Sequence, residues 1–283
     1  MERPTSKTSA RIWRVEGDRV ETRPDQLATE EPLEIRLLWK DGERVVAVTM
    51  RTPGADEELA AGFLFAEGVI DRRERVLGFR HPVEPGESEP AFNVIEVELG
   101  EGPEPELRSL ERHFFSSSAC GVCGKAGLAA LQLRVSSLPA GPEVDPEVLR
   151  ALPDRLRQAQ GIFAATGGLH AAALFDTAGR LLAVREDVGR HNALDKLLGW
   201  AFLQGRLPLH DHLVMVSGRS SYEILQKCLV AEVPIVCAVS APSSLAVELA
   251  SRFGVTLVGF LRGDRFNVYS GLERIVGLLP DMV

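Results

Sequence analysis

Short apolar runs recur along the chain, and their spacing changes character near its middle. Leu33–Trp39 and Arg44–Met50 flank Asp41-Gly42, a combination that predicts a β-hairpin. After a Thr-Pro-Gly turn, Leu59, Phe63 and Leu64 fall at helical spacing, so a helix is predicted over Asp56–Glu67. Alternation in Phe92–Leu99 predicts a half-buried strand, and the apolar stripe of Asp145–Gln160 an amphipathic helix. Residues 1–10 are expected to form a loose tail.

Beyond residue 160 the runs become denser. Leu169–Phe175 and Arg180–Arg185 enclose an Asp-Thr-Ala-Gly turn and read as a second hairpin. Helices predicted at Asn192–Leu203, Tyr222–Ala231 and Ser244–Phe253 alternate with strands at His212–Ser217, Pro234–Ser240 and Val255–Phe260. A short strand at Phe266–Tyr269 and a helix from Leu272 complete the pattern. Continuous apolar strands between helices predict an α/β domain with a buried, largely parallel sheet and helices on both faces. A smaller α+β part precedes it, so the expected domains are 1–150 and 151–283, with the junction between residues 140 and 160.

Charge sharpens this division. The 283 residues carry a formal net charge of −8, yet residues 161–283 hold 11 basic and 11 acidic side chains. The whole acidic excess belongs to the first part, which also carries the Pro/Glu-rich stretches at 81–90 and 100–109. An acidic chain of this kind is not expected to bind nucleic acid in general. No apolar run reaches the roughly 20 residues needed to span a bilayer, and the first residues lack a signal core. A cytoplasmic location follows as the expectation. Four cysteines in so long a chain exclude a disulfide-stapled scaffold.

Two of those cysteines carry a chemical signal. Cys120 and Cys123 lie in a CxxC flanked by Gly121, Gly124 and Gly127 and followed by Lys125 and a run of helix formers to Leu133. A helix start and a nearby cation lower a thiol pKa. The spacing suits half a zinc site, a redox dithiol or a persulfide carrier, and without a second CxxC the zinc reading is incomplete. Cys228 and Cys237 read as small buried residues.

A second signal lies at the predicted strand ends, where ligands of open α/β sheets bind. Ser217-Gly218-Arg219-Ser220-Ser221 and Pro242-Ser243-Ser244 open helices, and Arg262-Gly263-Asp264-Arg265 follows a strand. In the segment 185–199, Gly189 precedes a helix start at Arg190, with His191, Asn192 and Asp195 within one turn. Helix N-termini and arginines bind phosphates, so Arg185, Arg190, Arg219, Arg262 and Arg265 are expected to converge on an anionic ligand. The alternative is a capped helix start with Asp195 facing Lys196 and solvent. No Walker or GxGxxG loop is present.

ACGVCGK, REDVGRHNALDKLLG, SGRSSYEILQK, APSSLAVELA and TLVGFLRGDRFNVYSG, in this order, resemble the FdhD family of formate dehydrogenase accessory sulfurtransferases. The resemblance implies a cysteine persulfide on Cys120, with Cys123 as its companion. Sulfur would come from a cysteine desulfurase and pass to the bis(molybdopterin guanine dinucleotide) cofactor destined for the formate dehydrogenase catalytic subunit. It further implies that Phe260, Leu261, Arg262, Gly263, Asp264 and Arg265 bind the cofactor, with GDP or GMP as surrogate ligands. Gly218, Arg219, Ser220, Ser243, His191 and Arg190 are the added candidates from the basic rim. A cytidine-deaminase-like mixed sheet and a homodimer are implied too. His170 begins His-Ala-Ala and no PCxxC follows, so neither deaminase chemistry nor zinc is expected. Two other readings stay open: a chaperone that delivers the cofactor without covalent sulfur transfer, and a redox dithiol.

Overall fold

An antiparallel ribbon opens the chain. β1 (Lys7–Glu16) and β2 (Arg19–Ala28) pair along their whole length across a turn at Gly17, whose φ of 61° favours glycine. The computed structural model describes residues 4–83, 85–107, 137–138 and 140–278. Residues 7–10, expected in a loose tail, therefore belong to a strand. Trp13, Val15 and Val20 on the ribbon are exposed, so no half-buried alternation announced it.

The predicted hairpin is β3 (Glu31–Trp39) with β4 (Gly42–Arg51), joined by Lys40-Asp41, with Gly42 already paired to Trp39. With β5 (Val76–Arg80) and β6 (Val94–Leu99) it forms a four-stranded sheet ordered β4-β3-β6-β5, in which β3 and β6 run parallel. The alternation of β6 suggested one wet face. Val94–Val97 are instead all buried, because the strand is central and Arg80 takes the Glu96 carboxylate at 2.5 Å. α1 (Asp56–Ala66) covers this sheet, its start held by the fully buried Arg51, which donates to both Asp56 oxygens and to the Phe92 carbonyl.

The second sheet has six strands in the order β12-β11-β10-β9-β7-β8. They are β7 (His170–Asp176), β8 (Leu181–Asp187), β9 (His212–Val216), β10 (Ile235–Ala238), β11 (Thr256–Arg262) and β12 (Arg265–Ser270). Parallel pairing is confined to β9–β10 and β10–β11 while the other three pairs are antiparallel, so the sheet is mixed rather than largely parallel. The helix expected from Leu272 is a single 3-10 turn, Leu272–Arg274, after which Ile275 bridges to Val144.

Period-two alternation divides the packing of this sheet. Ala171, Ala173 and Phe175 of β7 join Leu149, Leu152 and Leu156 of α2 (Pro146–Ala159) on one face. Ala172 and Leu174 join the apolar residues of α4 (Arg190–Leu203), α5 (Tyr222–Val230) and α6 (Ser244–Phe253) on the other. A short helix, α3 (Gly161–Thr166), follows α2 directly. The second face belongs to one continuous apolar cluster that runs through α4 and α1 to Leu33, Ile35 and Ile95 of the four-stranded sheet.

Polar groups lock the same junction. Asp187, fully buried at the end of β8, accepts from Thr52 N, Gly189 N and Asn192 Nδ2 and pairs with Lys196 Nζ at 2.7 Å. Lys196 also donates to the Thr52 carbonyl. Asp195 faces neither Lys196 nor solvent. It is buried against Lys227 of α5 at 2.7 Å. Burial pushes the Asp195 carboxyl up against the pull of Lys227. For Lys227, burial acts downward, but Asp195 and Glu67 outweigh it and hold the ammonium above its ordinary range.

Candidate functional site

The carboxyl ends of β9, β10 and β11 form one hydrogen-bonded rim. Ser243 N donates to Ser220 O at 3.0 Å, Phe260 N to Ser240 O at 3.2 Å, and Val239 N to Val216 O at 3.3 Å. Because β7 is antiparallel to β9, its first residue, His170, stands on the same rim. The predicted strand-end segments are therefore brought together.

At one end of the rim lie the starts of α4 and α5. His191 Nε2 meets Ser221 Oγ at 3.2 Å and Glu223 Oε2 at 2.9 Å. Gly218 is buried between His170 and Arg190. A Cβ there would lie 3.4 Å from His170 Nδ1 and 3.5 Å from Arg190 Cδ. Burial, then Arg190, then His191 hold the His170 imidazole below its ordinary value, against Asp187. Arg190 Nε is buried without a hydrogen-bond partner among the described residues, as is Ser220 Oγ. Arg219 is exposed. Ser243 caps α6 by accepting from Ala246 N.

At the other end the β11–β12 turn carries Phe260–Arg265. Phe260 adopts a φ of 52°, rare for a non-glycine residue, and lines a cavity of about 270 Å³ with Arg262, Arg265 and Asn267. Arg262 Nε donates to the Val239 carbonyl, and the Asp264 carbonyl accepts from Arg150 Nε. Gly263, at φ 53°, has open space around it. The Leu261 side chain points into the core beneath the rim. The five arginines do not converge: Arg190 and Arg219 lie at one end of the rim, Arg262 and Arg265 at the other, and the Arg185 guanidinium is engaged by Glu58 of α1.

Cys120 and Cys123, with the helical run expected from Lys125 to Leu133, lie outside the described residues. Cys228 and Cys237 are fully buried, and burial pushes both thiols up to about 12. No group of three His, Cys, Asp or Glu suited to a metal occurs among the described residues. Nor is any helix there long and apolar enough to cross a membrane.

Gln160 escaped the sequence reading, whereas Ser217 was expected among the strand-end residues. They line a larger cavity, of about 640 Å³, between α2, α3 and the rim. Gln160 is the last residue of an amphipathic pattern, so nothing in that signal marked it.

Residues 28–276 match the model of the FdhD/NarQ family. The chain is 51% identical over 271 residues to "Sulfur carrier protein FdhD" of Mycobacterium tuberculosis, covering 94% of this chain and 97% of that one. Proteins of the same name from Streptomyces avermitilis and Sulfurisphaera tokodaii are 49% and 42% identical, covering 94% of this chain and 94% and 98% of theirs. A crystal structure from Desulfotalea psychrophila, of a protein assigned as a formate dehydrogenase accessory protein, superimposes with a TM-score of 0.73. It is 28% identical and is matched over 96% of this chain and 100% of its own.

Proposed function

The chain belongs to the FdhD/NarQ family, and from that premise we propose that it is a sulfurtransferase serving a formate dehydrogenase. The observation that carries this reading is the chemical silence of two of its four cysteines. Cys228 and Cys237 are sealed in the core with thiols pushed up to about 12, whereas sulfur exchange requires a thiolate. Sulfur carriage therefore falls to Cys120 and Cys123.

In the proposed sequence the Cys120 thiolate attacks the terminal sulfur of a cysteine desulfurase persulfide. The new S–S bond forms on Cys120 as the donor's thiolate leaves. Attack by Cys123 on the Cys120 sulfur then releases hydrosulfide and leaves a Cys120–Cys123 disulfide, so the dithiol supplies the two electrons. The acceptor is the metal of a bis(molybdopterin guanine dinucleotide) cofactor, bound here as cargo. Arg262 and Arg265 on the β11–β12 turn and the unpaired Arg190 Nε suit its phosphates.

Mass spectrometry after incubation with a cysteine desulfurase and cysteine tests the first step. One added sulfur atom is expected on the native protein and none on Cys120→Ala, and an adduct that survives in that variant overturns the assignment. For the cargo site, Arg262→Ala and Arg265→Ala are expected to weaken GDP binding by about 1.5–3 kcal/mol each in calorimetry. Unchanged affinity in both removes the turn from the site.

A further inference from the structure

The β1–β2 ribbon is a sheet of two strands, and two strands with no further partner are marginally stable in water. Trp13 and Val15 are neighbours on one face of β1, and Val20 of β2 lies directly across from Val15. They are 77%, 63% and 61% exposed. Apolar side chains grouped in this way mark a contact surface.

The two edges of the ribbon differ. Gly17 and Asp18 form a two-residue turn, so Glu16 and Arg19 are a hydrogen-bonded pair. Alternation along the ladder then makes Arg11 and Pro24 a non-hydrogen-bonded pair. Pro24 suits that place, since it has no N–H to donate. Its missing donor falls on the outer edge of β2, a strand that also packs against α3. β1 has no proline and no register shift. The backbone groups of Ser9, Arg11, Trp13 and Val15 face away from β2 and meet no strand among the described residues. Such an edge is a template for strand addition.

Charge and register identify the occupant. Residues 7–28 hold five basic and four acidic side chains, while the whole chain carries −8. The acidic excess lies elsewhere, so the ribbon is where two copies can approach without net repulsion. In an antiparallel pair of identical strands the central residue faces itself. Centring on Arg11 would oppose like charges. Centring on Ile12 opposes Arg11 to Trp13, Ala10 to Arg14, Ser9 to Val15 and Thr8 to Glu16. That register sets each guanidinium beside an indole of the other copy and places isoleucine against isoleucine.

We propose that β1 pairs antiparallel with β1 of a second copy about Ile12, fusing two ribbons into one four-stranded sheet. The resemblance implies a homodimer without naming its surface, and the open β1 edge supplies one. This contact stands apart from the sulfur transfer and from the rim.

Analytical ultracentrifugation of the full chain is expected to show a dimer. Arg11→Pro copies the Pro24 device onto β1: it keeps the β1–β2 hydrogen bonds and removes a donor and a cation–π partner from each copy. Its dimer dissociation constant is expected to rise about tenfold or more, with the melting temperature held. Ile12→Cys, made with Cys120 and Cys123 changed to alanine, reads the register. Facing Cα atoms of a non-hydrogen-bonded pair lie about 4.5 Å apart, within disulfide reach. Mild oxidation is therefore expected to give a covalent dimer on a non-reducing gel for Ile12→Cys and none for Arg14→Cys in the same background. A monomer at all concentrations, a dimer of unchanged affinity in Arg11→Pro, or absence of the Ile12→Cys cross-link overturns the proposal. If Arg11→Pro unfolds, the cross-link comparison decides.

Discussion

Gly62 of α1 and Gly199 of α4 meet with no room for a methyl group between the two helix backbones. A Cβ on Gly62 would lie 1.9 Å from the Asp195 carbonyl oxygen, and one on Gly199 would lie 1.8 Å from the Glu58 carbonyl oxygen. This crossing joins the four-stranded and six-stranded halves, and it fixes α4, whose first turn presents Arg190 and His191 to the rim.

Gly62→Ala or Gly199→Ala must push the helices apart, because the obstructing atoms are backbone. Each is expected to lower stability by about 3 kcal/mol in chemical denaturation, at the upper end of overpacking effects. A loss below about 1 kcal/mol would show that the crossing is looser than its geometry.

Asp187 holds three hydrogen-bond donors and the Lys196 ammonium in a fully buried position. Asp187→Ala leaves Lys196 buried without its counter-charge, so a loss of about 3–5 kcal/mol is expected. Lys196→Met in that background should recover part of it, since the double variant buries no unpaired charge.

Gln160→Leu should behave in the opposite way. Replacing an unpartnered buried amide by an apolar side chain of similar size removes a desolvation cost, so stability is expected to hold or rise by about 1 kcal/mol. A marked fall in melting temperature would mean that the amide has a structural partner.

His170 is expected to titrate below its ordinary 6.5, because burial first and Arg190 second disfavour the imidazolium. A base depressed in the folded state protonates more readily in the unfolded chain. Its contribution to stability is therefore complete above pH 6.5 and is lost as pH falls from 6.5 toward the folded value. NMR titration of the ring should show the low midpoint and its rise in Arg190→Ala.

Cys228 and Cys237, buried with thiols pushed up to about 12, should resist iodoacetamide at pH 8 until the chain is denatured. Alkylation of either in the native protein, read by peptide mass spectrometry, would contradict their silence in sulfur transfer.

The elements that the sequence made legible are those whose apolar pattern reports one buried face or a distinctive turn. The Asp41-Gly42 hairpin, α1, α2 and the strand–helix alternation beyond residue 160 all belong to this group. The β1–β2 ribbon escaped because Trp13, Val15 and Val20 are exposed, leaving no wet-against-dry alternation to read. β6 misled in the opposite sense, since its polar Glu96 is buried by an arginine from the neighbouring strand.

The candidate site divides along the same line. Strand-end loops are local features, so the rim segments and the Phe260–Arg265 turn could be named from composition and motif order. Pairing is not local. Only the tertiary structure sends Arg185 to Glu58, 127 residues away, and Asp195 to Lys227 across a helix interface. It also leaves Gln160 Nε2 buried without a hydrogen-bond partner among the described residues. By itself the sequence determined the elements and the chemistry the chain carries. Which charges are neutralised, and which polar groups remain for a ligand, was decided by packing, because that depends on what distant segments bring to the same place.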